Sequence, residues 1–221
     1  MILSVILRYV KTYKGINYVP LTDSSNLCGL VGDNGVGKSS VLEALDCFFN
    51  AKSLNLNIAT KRSGIAETKP HVLPIIFIKK ATLKDNIAKL AETLDKLART
   101  ITEPDVTLSN RPFLKEFIQH RDLFMQRNNT SGEYLIPIGV DHNGQVTLSI
   151  FNCRKLVELY FAEGADGSAT ALSDKDVTQF LPLLESIREQ ISYIYIFRKK
   201  LIQNHLQNCR QMKFKPSWGN H

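Results

Sequence analysis

Short apolar runs alternate along this chain with stretches whose apolar residues recur at helical spacing. Ile2 to Tyr9, with Val5, Ile6 and Leu7 ahead of polar Arg8, and Ile16 to Leu21 both read as strands, joined by the basic turn Lys11-Thr12-Tyr13-Lys14-Gly15. Polar Thr22 to Asn26 forms a turn before Leu27-Cys28-Gly29-Leu30-Val31, an apolar run of the kind a buried parallel strand presents. From Ser40 to Phe49 the apolar positions Val41, Leu42, Leu45, Phe48 and Phe49 lie on one helical face. Ala51 to Pro70 is polar and irregular, and Lys61 and Arg62 within it read as a solvated loop. Val72 to Ile78 is the next strand. Pro74 cannot donate to a ladder, which predicts an edge strand or a start at Ile75.

Leu83, Ile87, Leu90, Leu94, Leu97 and Ile101 follow at heptad spacing with charges between them. That pattern suits a helical arm or pairing surface, but it is shorter than the roughly three heptads a coiled coil sustains, so packing on the domain's own sheet is expected. A second helix is predicted over Arg111 to Met125, with Pro112 in its first turn. Tyr134 to Ile138 and Gln145 to Ile150 read as strands joined across Asp141-His142-Asn143-Gly144, where Asn-Gly is a hairpin signal. Ser173 is an N-cap before an acidic first turn, opening a helix to about Gln190, and Tyr193 to Phe197 reads as a last strand.

The candidate chemistry lies at Gly32-Asp33-Asn34-Gly35-Val36-Gly37-Lys38-Ser39, followed by Ser40. This is the Gly-x-x-x-x-Gly-Lys-Ser pattern of a phosphate-binding loop (P-loop, or Walker A), in the strand–loop–helix order that the mechanism needs. Glycines remove Cβ atoms where the backbone must wrap a polyphosphate, and N–H groups at a helix start converge on it. The pattern predicts a nucleoside triphosphate as ligand, with Asp33 to Gly37 as the cradle and Ser40 flanking it. Lys38 is expected on the β- and γ-phosphates and the Ser39 hydroxyl on Mg²⁺.

Length and composition narrow the picture modestly. At 221 residues, 43% hydrophobic and 22% charged, the chain has the make-up of one substantial folded domain. No apolar run approaches the roughly 18 residues of a membrane span, and Met1 to Arg8 lacks the basic start and cleavage site of a signal peptide. The four cysteines, Cys28, Cys47, Cys153 and Cys209, show no metal-type spacing, so a reduced, cytoplasmic setting is expected. The net charge of +7 is concentrated at the end: six basic residues and no acid fall in 198–221, leaving residues 1–197 nearly neutral.

The opening strand, the phrase Lys11 to Gly15, the second strand and then Gly32 through Leu45 together resemble the N-terminal segment of ABC-type ATPases of the RecF/SMC group. They are similar also to the "overcoming lysogeny" ATPases and related AAA-type bacterial proteins. The resemblance covers about residues 1–50. It implies an ATP ligand, a DNA-related setting in repair, chromosome organisation or phage defence, and a partner such as a second ATPase subunit or an effector protein. Members of that group also carry a glutamine after the strand that Val72–Ile78 would supply, but here Lys79-Lys80-Ala81-Thr82 follows. Leu108-Ser109-Asn110 and Leu172-Ser173-Asp174 share only two letters with the group's signature motif. Leu135 to Asp141 could imitate a Walker B strand, but Pro137 and Gly139 favour the hairpin, which makes His142 a turn residue.

The expected fold is therefore α/β: an ABC-ATPase-like P-loop lobe over 1–197, with a helical insertion over 83–125, stopping before a Walker B strand. The break in character at Arg198 is read as a translated frameshift or early terminus of a longer ATPase, with a nucleic-acid-binding basic tail as the rival. With no acid assigned to activate water, little hydrolysis by the chain alone is expected. The alternative function is an interaction module with a relic P-loop, using the Leu83–Ile101 helix. A nucleotide kinase or GTPase-like switch lacks its base-reading Asn-Lys-x-Asp or its lid.

Overall fold

A computed structural model describes residues 1–22, 28–161 and 169–194. The sequence-predicted turn at 23–26, residue 27, the end of the last predicted strand and the basic tail lie outside them. Six strands, β1 (Ile2–Arg8), β2 (Ile16–Pro20), β3 (His71–Lys79), β4 (Glu133–Pro137), β5 (Gly139–Asp141) and β6 (Val146–Thr147), form an antiparallel sheet. Its order is β2-β1-β3-β5-β6, and β4 pairs with β3 beyond β5. The helices are α1 (Lys38–Phe49), α2 (Ile58–Ser63), α3 (Ile65–Thr68), α4 (Asp85–Thr100), α5 (Arg111–Arg127), α6 (Arg154–Phe161), α7 (Asp174–Thr178) and α8 (Leu181–Gln190). β1 and β3 are buried on both faces, which is why they read as continuous apolar runs rather than alternating ones. Helix α1 packs on β1 and β3, α4 on β4, and α5 on β2. On α4, Ala91, Leu94, Leu97 and Ala98 are fully buried, so its heptad face is consumed by the domain's own core.

Pro74 does not put β3 at an edge. β3 is central, with β1 on one side and β4 and β5 on the other. Pairing with β5 ends at Val72 and pairing with β4 begins at Ile75, so Leu73 and Pro74 face the break between those two strands. A proline in mid-sheet is tolerated where the ladder is already interrupted. Pro137 and Gly139 flank the same break. A Cβ on Gly139 would stand 2.4 Å from the Val72 carbonyl oxygen, so glycine lets the two backbones close there.

A hairpin forms at the predicted turn, but its first arm is β5 and not the expected Tyr134–Ile138 stretch, most of which is β4 and pairs with β3. β5 turns into β6 through Gly144 at φ +78°, with Asp141 N–H donating to the Gln145 carbonyl at 2.9 Å. Asp141 Oδ1 accepts the N–H groups of Asn143 and Gln145, as a turn-holding aspartate does. Ser149 and Ile150, expected as the end of a strand, lie instead in a 3₁₀ turn over Ser149–Phe151. The helix predicted from Ser173 is split into α7 and α8, with Pro182 in the first turn of α8. Helices α2 and α3 arise in a stretch read as irregular; Asn57 caps α2 through its side chain and Gly64 separates the two. Helix α6 lies in a stretch that the apolar spacing left unassigned.

The expected parallel strand before the glycine loop is not part of this sheet. Cys28 to Val31 carry no ladder bonds, and Val31 is 95% exposed. An apolar run becomes a strand only where a neighbour accepts its backbone bonds, and no described strand runs beside it. Tyr193 and Ile194, expected to begin a strand, are likewise outside any ladder. Tyr193 instead stacks on Phe49 at 5.5 Å and donates its hydroxyl to the Leu42 carbonyl, both on α1.

Arg8, His71 and Asp141 are register partners across β1, β3 and β5. Burial pushes the His71 imidazole down to about 4 from 6.5, the nearby Arg8 charge acting the same way while the Lys69 carbonyl and Asp141 pull the other way. The unfolded chain then binds the extra proton first. Stability contributed by neutral His71 is complete above pH 6.5 and is lost as pH falls toward 4. We expect a loss of about 2 kcal/mol by pH 5, absent in His71→Gln, measured by urea unfolding across that range.

Candidate functional site

The site is built on the start of α1. Its N-cap is Gly37, at φ +101°, with no side-chain capping bond. The Gly37 carbonyl accepts the N–H groups of Ser40 and Val41, at 2.9 and 3.2 Å, and so starts the helix. Gly32 and Gly35 also have positive φ, at +148° and +89°, which lets the exposed segment 32–36 fold over the helix start. Lys38 Nζ closes the loop by donating to the carbonyls of Gly32 and Asp33, each at 2.6 Å. The structure thus brings Gly32, Asp33, Gly37 and Lys38 into one turn, with Asn34, Gly35 and Val36 at its exposed crown.

The two serines part company. Ser39 is exposed in the first turn of α1, whereas Ser40 is buried, its hydroxyl 3.2 Å from that of Thr12. Thr12 and Tyr13 back the loop. A Cβ on Gly37 would stand 2.8 Å from Thr12 Oγ1 and 3.0 Å from Tyr13 Cε2. Burial raises the Tyr13 hydroxyl above its ordinary value and keeps it protonated. The turn that carries both residues is braced from two sides. Lys11 Nζ pairs with Glu43 of α1 at 2.5 Å, and Asn57 Nδ2 donates to the Lys11 carbonyl at 2.5 Å. Spacing alone marks 11–15 only as a basic turn; the signal that could have placed Thr12 and Tyr13 beside the loop is the recurrence of such a phrase ahead of similar loops.

Gly37→Ala adds a methyl group at a left-handed position that is already crowded. We expect ATP affinity to fall about tenfold, with a stability loss of about 1–2 kcal/mol, read by calorimetric titration and thermal melting.

The far end of α1 is also held. Arg188 of α8 donates to the Phe48 carbonyl at 2.6 Å and lies 5.6 Å from the Phe48 ring centroid, a cation on the helix's negative end. Glu43 of α1 holds Lys11 and accepts from Asn55, whereas Asp141 lies on β5 and holds the turn into β6. Among the described residues no group of three or more His, Cys, Asp or Glu side chains could hold a metal ion, and no helix is long and apolar enough to cross a membrane. Magnesium is commonly held by one or two protein oxygens together with substrate phosphates. The exposed Ser39 hydroxyl fits that limited role.

Fold and loop together define a mixed α/β domain with a glycine loop at a helix N-terminus, an arrangement suited to binding phosphate groups. The chain belongs to the AAA ATPase domain family, whose model matches residues 1–217. That membership points to ATP as the nucleotide bound. Comparison with curated proteins and with solved structures gave no match.

Proposed function

We propose that this chain binds ATP with Mg²⁺ through Gly32 to Ser39. The observation that carries the reading is Lys38, whose ammonium group lies against the loop carbonyls at the N-terminus of a 12-residue helix. Asp33 to Gly37 would hold phosphate oxygens through backbone N–H groups, with Lys38 on the β- and γ-phosphates and Ser39 on the metal. Bound magnesium would neutralise phosphate charge. Thr12 and Ser40 support the loop from behind. Calorimetric titration with ATP, with and without Mg²⁺, tests the assignment; heat indistinguishable from buffer dilution would reject it.

By resemblance, the protein acts within an ABC-type ATPase of the RecF/SMC or overcoming-lysogeny group. The resemblance also points to DNA repair or phage defence as the setting, with DNA and a second ATPase subunit or effector as partners. Alone, it should turn over slowly, because no acid of the chain is assigned to activate water. Phosphate release at least ~100-fold below the order of 1 s⁻¹ is expected; faster release that Lys38→Ala abolishes would show that the chain completes its own site. The burial of the apolar face of α4 removes the main support for a purely interacting module.

A further inference from the structure

The run that enters the nucleotide loop borders an apolar groove. Ile2, Leu21, Cys28, Leu30, Leu42 and Leu45 line a cavity of about 330 Å³ between β1, the chain after β2 and helix α1. Val31, which follows Leu30, is 95% exposed, and Leu42 on α1 is 39% exposed. Among the described residues the backbone groups of Cys28 to Val31 join no ladder. Apolar side chains and unpaired peptide groups stand open together there, and one added strand satisfies both.

The chain itself is led to this groove. Arg188 and Tyr193, on either side of the end of α8, fasten it to α1. The Tyr193 hydroxyl donates at 2.9 Å to the carbonyl of Leu42, a residue of the groove wall, and its ring stacks on Phe49. Asn50, the C-cap of α1, donates its side-chain amide to the Tyr193 carbonyl at 3.1 Å. Ile194 follows, 82% exposed. Tyr195, Ile196 and Phe197, outside the described residues, continue the run of strand-forming side chains that begins at Tyr193. As a strand, Ile194 to Phe197 would span roughly 10 Å, the same as Cys28 to Val31. A segment tethered beside its groove has an effective concentration on the order of mM, far above that of a second copy in dilute solution.

We propose that Ile194 to Phe197 dock in this groove as a strand beside Cys28 to Val31. Docking covers the groove's leucines and gives the run ahead of Gly32 a neighbour. It thereby couples nucleotide affinity to a segment far along the chain.

The test uses the full chain. Among the described cysteines only Cys28 is exposed, Cys47 and Cys153 being buried. In a Cys209→Ser background, Tyr195→Cys, Ile196→Cys and Phe197→Cys are made in turn and each protein is oxidised mildly. Neighbouring strands lie about 5 Å apart, within the roughly 4.4–6.8 Å between Cα atoms that a disulfide spans. At least one position is therefore expected to link to Cys28 within one chain, whereas Lys175→Cys, exposed on α7, is not. Iodoacetamide should label Cys28 at least ~tenfold faster in Ile196→Asp than in the parent. The coupling rests on the ATP reading above: the same variant should bind ATP about fivefold more weakly, because fewer molecules hold a competent loop. No link at any of the three positions overturns the proposal, as does equal labelling of Cys28 in parent and Ile196→Asp. Links between two chains overturn it in favour of a second copy as the occupant. Equal ATP affinity in parent and variant overturns the coupling. If neither protein binds ATP, it is the nucleotide reading that fails, and the thiol results alone decide the docking.

Discussion

Lys38→Ala is expected to weaken ATP binding by about two orders of magnitude while leaving the fold intact. The ammonium group is the mobile cation of the loop, and its two 2.6 Å bonds to the Gly32 and Asp33 carbonyls place it over the helix start. Hydrogen bonds to charged groups contribute about 1.5–3 kcal/mol each, and every 1.4 kcal/mol is about tenfold in affinity. Loss of phosphate contacts worth about 3 kcal/mol therefore corresponds to roughly 100-fold in Kd. Side-by-side calorimetry of parent and variant at equal Mg²⁺ measures this. A variant that binds ATP as tightly as the parent would overturn the assignment of the site. An unchanged circular dichroism spectrum excludes unfolding as the cause, since Lys38 is only half-buried at the start of α1.

Gly139→Ala should be the most damaging single methyl group in the sheet. The added Cβ would meet the Val72 carbonyl oxygen at 2.4 Å, Leu73 Cβ at 2.7 Å and Leu73 Cα at 2.8 Å. Two of these atoms are backbone of the central strand, which cannot swing aside as a side chain can. Overpacking costs about 1–3 kcal/mol where side chains can yield, so about 3–4 kcal/mol is expected here. For a domain of this size that corresponds to a fall in Tm of roughly 10 °C. Gly132→Ala is the control, because a Cβ there meets nothing within 4 Å. Equal melting temperatures for the two variants would show that β5 does not close against β3 as described.

Much of the site was legible before any coordinates. Gly32 to Ser39 carry their own local instructions: glycines where the backbone turns left-handed, then apolar spacing that starts a helix at Lys38. Ser40 was legible as part of the motif, but its burial against Thr12 was not, because the contact joins residues 28 apart. Pro74 shows the opposite failure. Its missing N–H correctly reports that a ladder bond is absent, yet the expected remedy, an edge, is replaced by a break between β4 and β5. The same break explains Pro137 and Gly139, which spacing alone could treat only as separate marks against a regular strand.

The run Cys28 to Val31 illustrates the limit most plainly. Its composition suits a buried strand, but a strand is a relation between two segments, and pattern describes only one. The period of apolar residues determined the type of several elements: β1, β2, α1, α4 and α5 follow from which positions must leave water. The glycines and Lys38 determined where the candidate chemistry sits. Tertiary structure alone decided that β3 is central, that the apolar face of α4 is covered by its own sheet, that Thr12 and Tyr13 stand behind the loop, and that His71 is buried with one nitrogen unpaired. Each of those outcomes depends on which distant segment supplies the neighbouring backbone or side chain, and local periodicity carries no record of that partner.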